Sequence, residues 1–196
     1  MNASLNFCLD SLALYEALVH NDCVKETLEV INQMQADGVI GKYAIGGAVG
    51  ATLYLEPAAT LDVDIFIALP TTPASLLLSL TPIYDYLKAR GGKVRDEYVE
   101  IGGWPVQFLP LANDLEQEAV DQAVATTVNG APTWVMPPEH LVAIALRTGR
   151  AKDYGRIMQF LNEKRVNRSK LHDLLKRHGL MAQWAQFKHK YSVEGE

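Results

Sequence analysis

The chain has 196 residues, 48% of them hydrophobic, and a net charge of −5. That length and apolar content suit one compact domain, or one domain with a small appendage, and no apolar run approaches the ~20 residues a membrane span needs. Cys8, Cys23 and the five histidines show no metal-ligand spacing, which argues against a zinc site; with no export signal at the N-terminus, the thiols are expected to be reduced, in a cytoplasm.

Asp22 caps a predicted helix whose apolar positions Val24, Leu28, Ile31 and Met34 recur at helical spacing. "ADG" at 36–38 ends it. "KYAIGG" reads as a short strand closed by Gly46 and Gly47, "AVGATLYL" as a helix and "EPAAT" as a loop. "LDVDIFIAL" is a strand that puts Asp62 and Asp64 on one face and Val63 and Ile65 on the other. From Ile65 onward it is apolar on both faces, as in a central strand. Pro70 breaks it, and Pro73 suits the first turn of a helix reaching toward Arg90.

"KVRDEYVEI", then "GG", then "WPVQFLP" reads as a hairpin, "DLEQEAVDQAV" as a helix, and "TTVNGAPTWVM" as a second hairpin turning at Asn129-Gly130. After Pro137-Pro138 the pattern is helical throughout. The expected fold is α/β (α+β), a mixed sheet flanked by helices. Its α/β core with N-terminal helices spans 1–137, and a C-terminal helical region, 138–196, packs on that core.

Charge is unevenly spread. Residues 147–190 carry 12 Lys and Arg against three acids, net +9, whereas residues 1–146 are net −12. A basic back of this kind serves either solubility or a phosphate or nucleic-acid surface.

Two carboxylates on one strand face repel each other, and burial without a cation would force a proton onto one of them. Magnesium or manganese resolves the conflict, because hard cations prefer oxygen ligands and also hold phosphate oxygens. Gly46 and Gly47, lacking side chains, let backbone amides approach phosphate where a helix begins. The plain readings are a strand capped at a solvated edge and an ordinary tight turn. The glycine pair is neither a Walker loop nor a dinucleotide fingerprint.

Strand, Gly-Gly, helix, loop and Asp-x-Asp in this order resemble the nucleotidyltransferase superfamily of polymerase-beta-like folds. "TLDVDIFI", with Thr60 two residues before Asp62, is most similar to the branch of abortive-infection toxin nucleotidyltransferases. In that branch a helix with a basic residue precedes a basic-x-x-Lys-Asp segment; Arg147, Arg150, Lys152 and Asp153 stand at the matching positions. The resemblance covers roughly residues 24–165. It implies that Gly46, Gly47, Thr60, Arg147, Arg150 and Lys152 bind the NTP and that Asp62 and Asp64 hold Mg2+ or Mn2+. A hydroxyl on RNA, tRNA included, or on a protein then attacks the α-phosphorus, and pyrophosphate leaves.

The family's third carboxylate aligns with Gln107, which cannot act as a base. Glu100, on the preceding strand, is the nearest substitute and completes the candidate catalytic set with Asp62 and Asp64. Asp153 is read as a cap for the following helix or a partner for Arg156. Three functions compete: a nucleotidyltransferase, a catalytically impaired nucleotide-binding module with a cognate antitoxin-like partner, and a sugar-nucleotide transferase using Asp-x-Asp as its metal clasp.

Overall fold

The computed structural model describes residues 22–56, 62–70 and 79–193. Thr60, Cys8 and the expected helix start at Pro73 lie outside them. Among the described residues eight helices and seven strands follow in chain order: α1 Asp22–Ala36, β1 Tyr43–Ile45, α2 Gly47–Thr52, β2 Val63–Ile67, α3 Thr81–Lys88, β3 Lys93–Arg95, β4 Tyr98–Ile101 and β5 Trp104–Pro110. Then come α4 Asp114–Asp121, β6 Val124–Val128, β7 Ala131–Val135, α5 Pro138–Thr148, α6 Ala151–Asn162, α7 Arg168–Arg177 and α8 Met181–Tyr191.

The strands form one mixed sheet in the order β3-β4-β5-β2-β1-β7-β6. At its centre are two strands predicted from the sequence: β2 runs antiparallel to β1, with Ile45 opposite Ile65, and parallel to β5, with Asp64 opposite Gln107. The mixed α/β architecture expected from the sequence is therefore the observed one. The second hairpin also forms as the pattern requires. Asn129 and Gly130 both take positive φ, 49° and 82°, the geometry of a two-residue hairpin turn whose twist matches its strands.

One expectation needs correction. The run "KVRDEYVEI" is not a single strand but two, β3 and β4, joined by a tight turn with Asp96 at φ 52°. Three antiparallel strands thus stand where one hairpin was expected. The run contains no glycine or proline to mark the turn; Asp tolerates the left-handed region because its short side chain can bond locally.

Period-two alternation divides the sheet into two faces. Val63, Ile65, Ile67, Val99, Ile101, Val106 and Phe108 point to one face and pack with Leu28, Ile31 and Met34 of α1 and Ile83 and Leu87 of α3. Phe66 points the other way, into a second core with Met136 and the apolar positions of α4 to α8. The C-terminal helices thus close over the face that carries Asp64. No helix among the described residues is long and apolar enough to cross a membrane.

A polar knot ties α4 to that helical region. Glu118 accepts two hydrogen bonds from the Arg177 guanidinium, at 2.7 and 2.8 Å, and stands 2.7 Å from His178 Nε2. His140 of α5, buried, lies 3.5 Å away. Hydrogen bonds from Arg177, helped by His178 and the nearby charges, hold the Glu118 carboxyl down at about 2. A depressed carboxyl stabilises the fold above its unfolded pKa and loses that contribution as pH falls toward its folded value. Glu118→Gln is expected to destabilise the protein by ~1–2 kcal/mol at neutral pH, given the exposed Arg177 head group. The gap should close as pH falls from about 4.5 toward 2, a change measurable by chemical denaturation at a series of pH values.

Candidate active site

The Gly46-Gly47 bend and β2 are built against each other. The Gly46 N–H donates to the carbonyl oxygen of Asp64 at 2.9 Å, so it serves the β1–β2 pairing. A Cβ on Gly46 would lie 2.5 Å from the Phe66 ring. Gly47, at φ +56°, faces the Asp64 carboxyl group itself: a Cβ there would lie 1.8 Å from Asp64 Oδ2. Both residues must be glycine, but for different reasons. Gly46 lets β1 approach an aromatic ring, and Gly47 makes room for a carboxylate in a backbone conformation that disfavours side chains.

Above this bend lies a cleft of about 520 Å³. Its acidic wall comes from the sheet: Asp62 just before β2, Asp64 in β2, Gln107 in β5, and Glu97 and Tyr98 at the β3–β4 turn. Its basic wall comes from the junction of α5 and α6: Arg150, Lys152 and Arg156, with Asp153 among them. Phe66, Leu109, Met136, Leu141 and Ile144 give it an apolar floor, and Gly47 and Ala48 complete it at the start of α2.

The acidic wall is electrostatically loaded. Burial, and then the neighbouring charge of Asp62, push the Asp64 carboxyl up to about 6, while Arg150, Arg156 and Lys152 pull it down. The basic wall is braced internally. Asp153, 1% exposed, accepts from Arg150 Nε at 2.7 Å, from Arg156 Nη1 at 3.4 Å and from the Arg150 N–H at 3.3 Å. It caps α6 and pairs with two arginines at once, so both roles read for it from the sequence are present. One buried acid serves two arginines, and Lys152 stands beside them, which leaves a surplus of positive charge on the wall opposite the aspartates. Burial lowers the Arg156 pKa; burial of that kind favours an anionic occupant beside the guanidinium.

The structure therefore gathers Asp62, Asp64, Gly47, Arg150 and Lys152 around one space. Gly46 lies beneath it. Arg147 does not line it, and its Nη1 donates instead to the side-chain oxygen of Asn113, the N-cap of α4. Glu100 does not line it either; opposite Lys93 in the register, its carboxylate lies 3.8 Å from Lys93 Nζ and 3.3 Å from Arg95 Nη2. Arg156, Tyr98 and Glu97 line the cleft without having been marked as binding residues in the sequence. Arg156 alone carried a signal, its i+3 spacing from Asp153.

The Asp64 shift has a testable sign. A carboxyl with a folded pKa raised above its unfolded value of about 3.9 costs nothing below that value, costs more as pH climbs, and costs most above its folded pKa. In metal-free buffer at pH 7.5, Asp64→Asn is expected to be more stable than the native chain by on the order of 1–3 kcal/mol. The advantage should fade toward pH 4 in paired thermal melts.

No protein-family model matches the sequence, and no curated protein matches it by sequence. The fold is similar to the crystal structure of an antigenic nucleotidyltransferase-like protein from Paracoccidioides brasiliensis, with a TM-score of 0.53 and 16% identity over 88% of this chain and 90% of that one. Two structures of ANT(2'')-Ia are less similar. The solution structure of this antibiotic-resistance factor has a TM-score of 0.49 and 16% identity over 87% of this chain and 98% of that one. The crystal structure with adenylyl-2''-tobramycin has a TM-score of 0.46 and 15% identity over 84% and 98%. At 16% identity the likeness to the nucleotidyltransferase-like protein bears on architecture alone, and what it establishes is a fold of that kind.

Proposed function

We propose that the chain binds a nucleoside triphosphate with magnesium or manganese in this cleft and transfers its nucleotidyl group to a hydroxyl on RNA, tRNA included, or on a protein. The observation that carries the reading is the opposition of charge across one cavity. Asp62 and Asp64 face Arg150, Lys152 and Arg156 over a space of about 520 Å³, and a metal–triphosphate matches both walls. A cytoplasmic setting, rich in both ligands, belongs to the same reading.

The donor set fits a hard cation. Asp62 and Asp64, with the Gln107 side-chain carbonyl beside them in register, are the residues that would hold it. Among the described residues no group of three or more His, Cys, Asp or Glu is placed to hold a metal ion; the two carboxylates would hold it with phosphate oxygens and water for the rest. Bound there, the ion supplies charge neutralisation at the phosphates.

The chain's own residues do the remaining work. Arg150, Lys152 and Arg156 hold phosphate oxygens, the guanidinium forks matching them two at a time. Gly47 and Ala48 leave room for phosphate beside the backbone. Phe66, Met136, Leu141 and Ile144 offer an apolar surface to the base and exclude water from that side. Thr60, Gly46 and Arg147, which the family resemblance implies for nucleotide binding, belong to the proposal on that ground alone. So do the abortive-infection branch and the division of the chain at residue 137.

A second reading has its own observation. Gln107 stands beside Asp64 where the resemblance implies a carboxylate, and an amide accepts no proton at neutral pH. On that reading the protein is a nucleotide-binding module acting with an antitoxin-like partner.

Incubation with magnesium, the four NTPs labelled at the α-phosphate, and total RNA or cell lysate separates the two. Transfer of label to RNA or protein is expected. Asp64→Ala should lower it on the order of 10³-fold, the loss of several kcal/mol of charge stabilisation. Nucleotide binding without label transfer would select the module.

A further inference from the structure

Nucleotidyl transfer to a hydroxyl needs somewhere for the hydroxyl proton to go, and the residue beside Asp64 cannot take it. We propose that Glu97, at the β3–β4 turn, is the general base, in place of Gln107 and Glu100. The inference deepens the nucleotidyl-transfer reading and rests on it.

The sheet register supplies the geometry. Asp64 lies opposite Gln107, and Val99 lies opposite Val106. One step further along each strand sets Tyr98 next to Gln107, so Asp64, Gln107 and Tyr98 form a row across the cleft side of the sheet. The turn at Asp96 then delivers Glu97 to the end of that row, where it lines the cavity with Asp62 and Asp64. The Tyr98 side chain lies within the electrostatic reach of Asp62, Glu97 and Asp64, and Glu97 and Tyr98 line the cavity side by side.

The other acids near the cavity are occupied by structural work. Asp153 is buried between Arg150 and Arg156. Glu116 accepts the Ala112 N–H at 2.8 Å, at the start of α4. Glu100 sits between Lys93 and Arg95. Glu97 is exposed, as a base must be to meet a large acceptor and to return its proton to water.

The step balances as follows. The acceptor oxygen forms a bond to the α-phosphorus while its proton passes to the Glu97 carboxylate. The bond from the α-phosphorus to the bridging oxygen breaks, and that electron pair leaves with pyrophosphate. Glu97 then loses its proton to solvent.

Magnesium, the four NTPs labelled at the α-phosphate and total RNA or lysate again serve as probes, with nucleotide binding measured in parallel. Glu97→Gln is expected to lower kcat roughly 10²-fold or more while KM and Kd for the nucleotide stay put. Added formate should restore part of the transfer lost in Glu97→Ala and none of that lost in Asp64→Ala, a rescue that a purely structural role would not show. Transfer by Glu97→Gln at the native rate, or loss of transfer in Glu100→Gln alone, overturns the assignment. A native chain that binds nucleotide but transfers nothing removes Glu97 as a base and leaves the binding site standing. A native chain that binds no nucleotide overturns the reading of the site itself.

Discussion

Two aspartates and one glycine fix the centre of this molecule. Asp64 can point its carboxylate into the cleft only because Gly47 has no Cβ, which would lie 1.8 Å from Asp64 Oδ2. The same strand lends its carbonyl to the Gly46 N–H, so the bend, the first residues of α2 and the acidic wall are a single unit. A change at any one of these positions displaces the others.

That unit is loaded with repulsion. Asp62 and burial hold the Asp64 carboxyl up at about 6, and the cations that relieve it stand across the cavity rather than in contact. Arg150 and Arg156 are braced by the buried Asp153, so neither can swing over to neutralise Asp64 without abandoning an ion pair. A protein built for stability alone would have closed this gap with a direct salt bridge or removed one carboxylate. Keeping Asp64 apart from the cations that relieve it is the arrangement expected of a site whose occupant carries both signs.

Much of this was legible in the residues. Asp62 and Asp64 announced themselves by spacing, and Gly47 by its place before a helix. The capping role of Asp153 follows from its position three residues after Arg150. The two central strands and the Asn129-Gly130 hairpin came from alternation and turn chemistry, whereas their order in the sheet did not. What stayed hidden shares one cause. The turn at Asp96 sits inside a run that alternates like a strand and contains no glycine or proline, so nothing local showed that the chain turns there and brings Glu97 and Tyr98 to the cleft. Arg147 looked equivalent to Arg150 in sequence. The helix ending at Thr148 instead turns Arg147 toward Asn113, while Arg156, in the second turn of α6, faces the cavity. Glu100 was placed by proximity along the chain, and the cross-strand partner that binds it, Lys93, becomes visible only once β3 exists.

The central claim is that the acidic pair and the basic wall act together on one ligand, a metal–triphosphate. Calorimetric titration with ATP, GTP, CTP and UTP, each with magnesium and again with excess EDTA, tests it most directly. The account predicts binding of at least one nucleotide that depends on magnesium and is weakened by Arg156→Gln. Absence of heat with all four in the presence of magnesium or manganese, or affinity that is indifferent to EDTA, would contradict it.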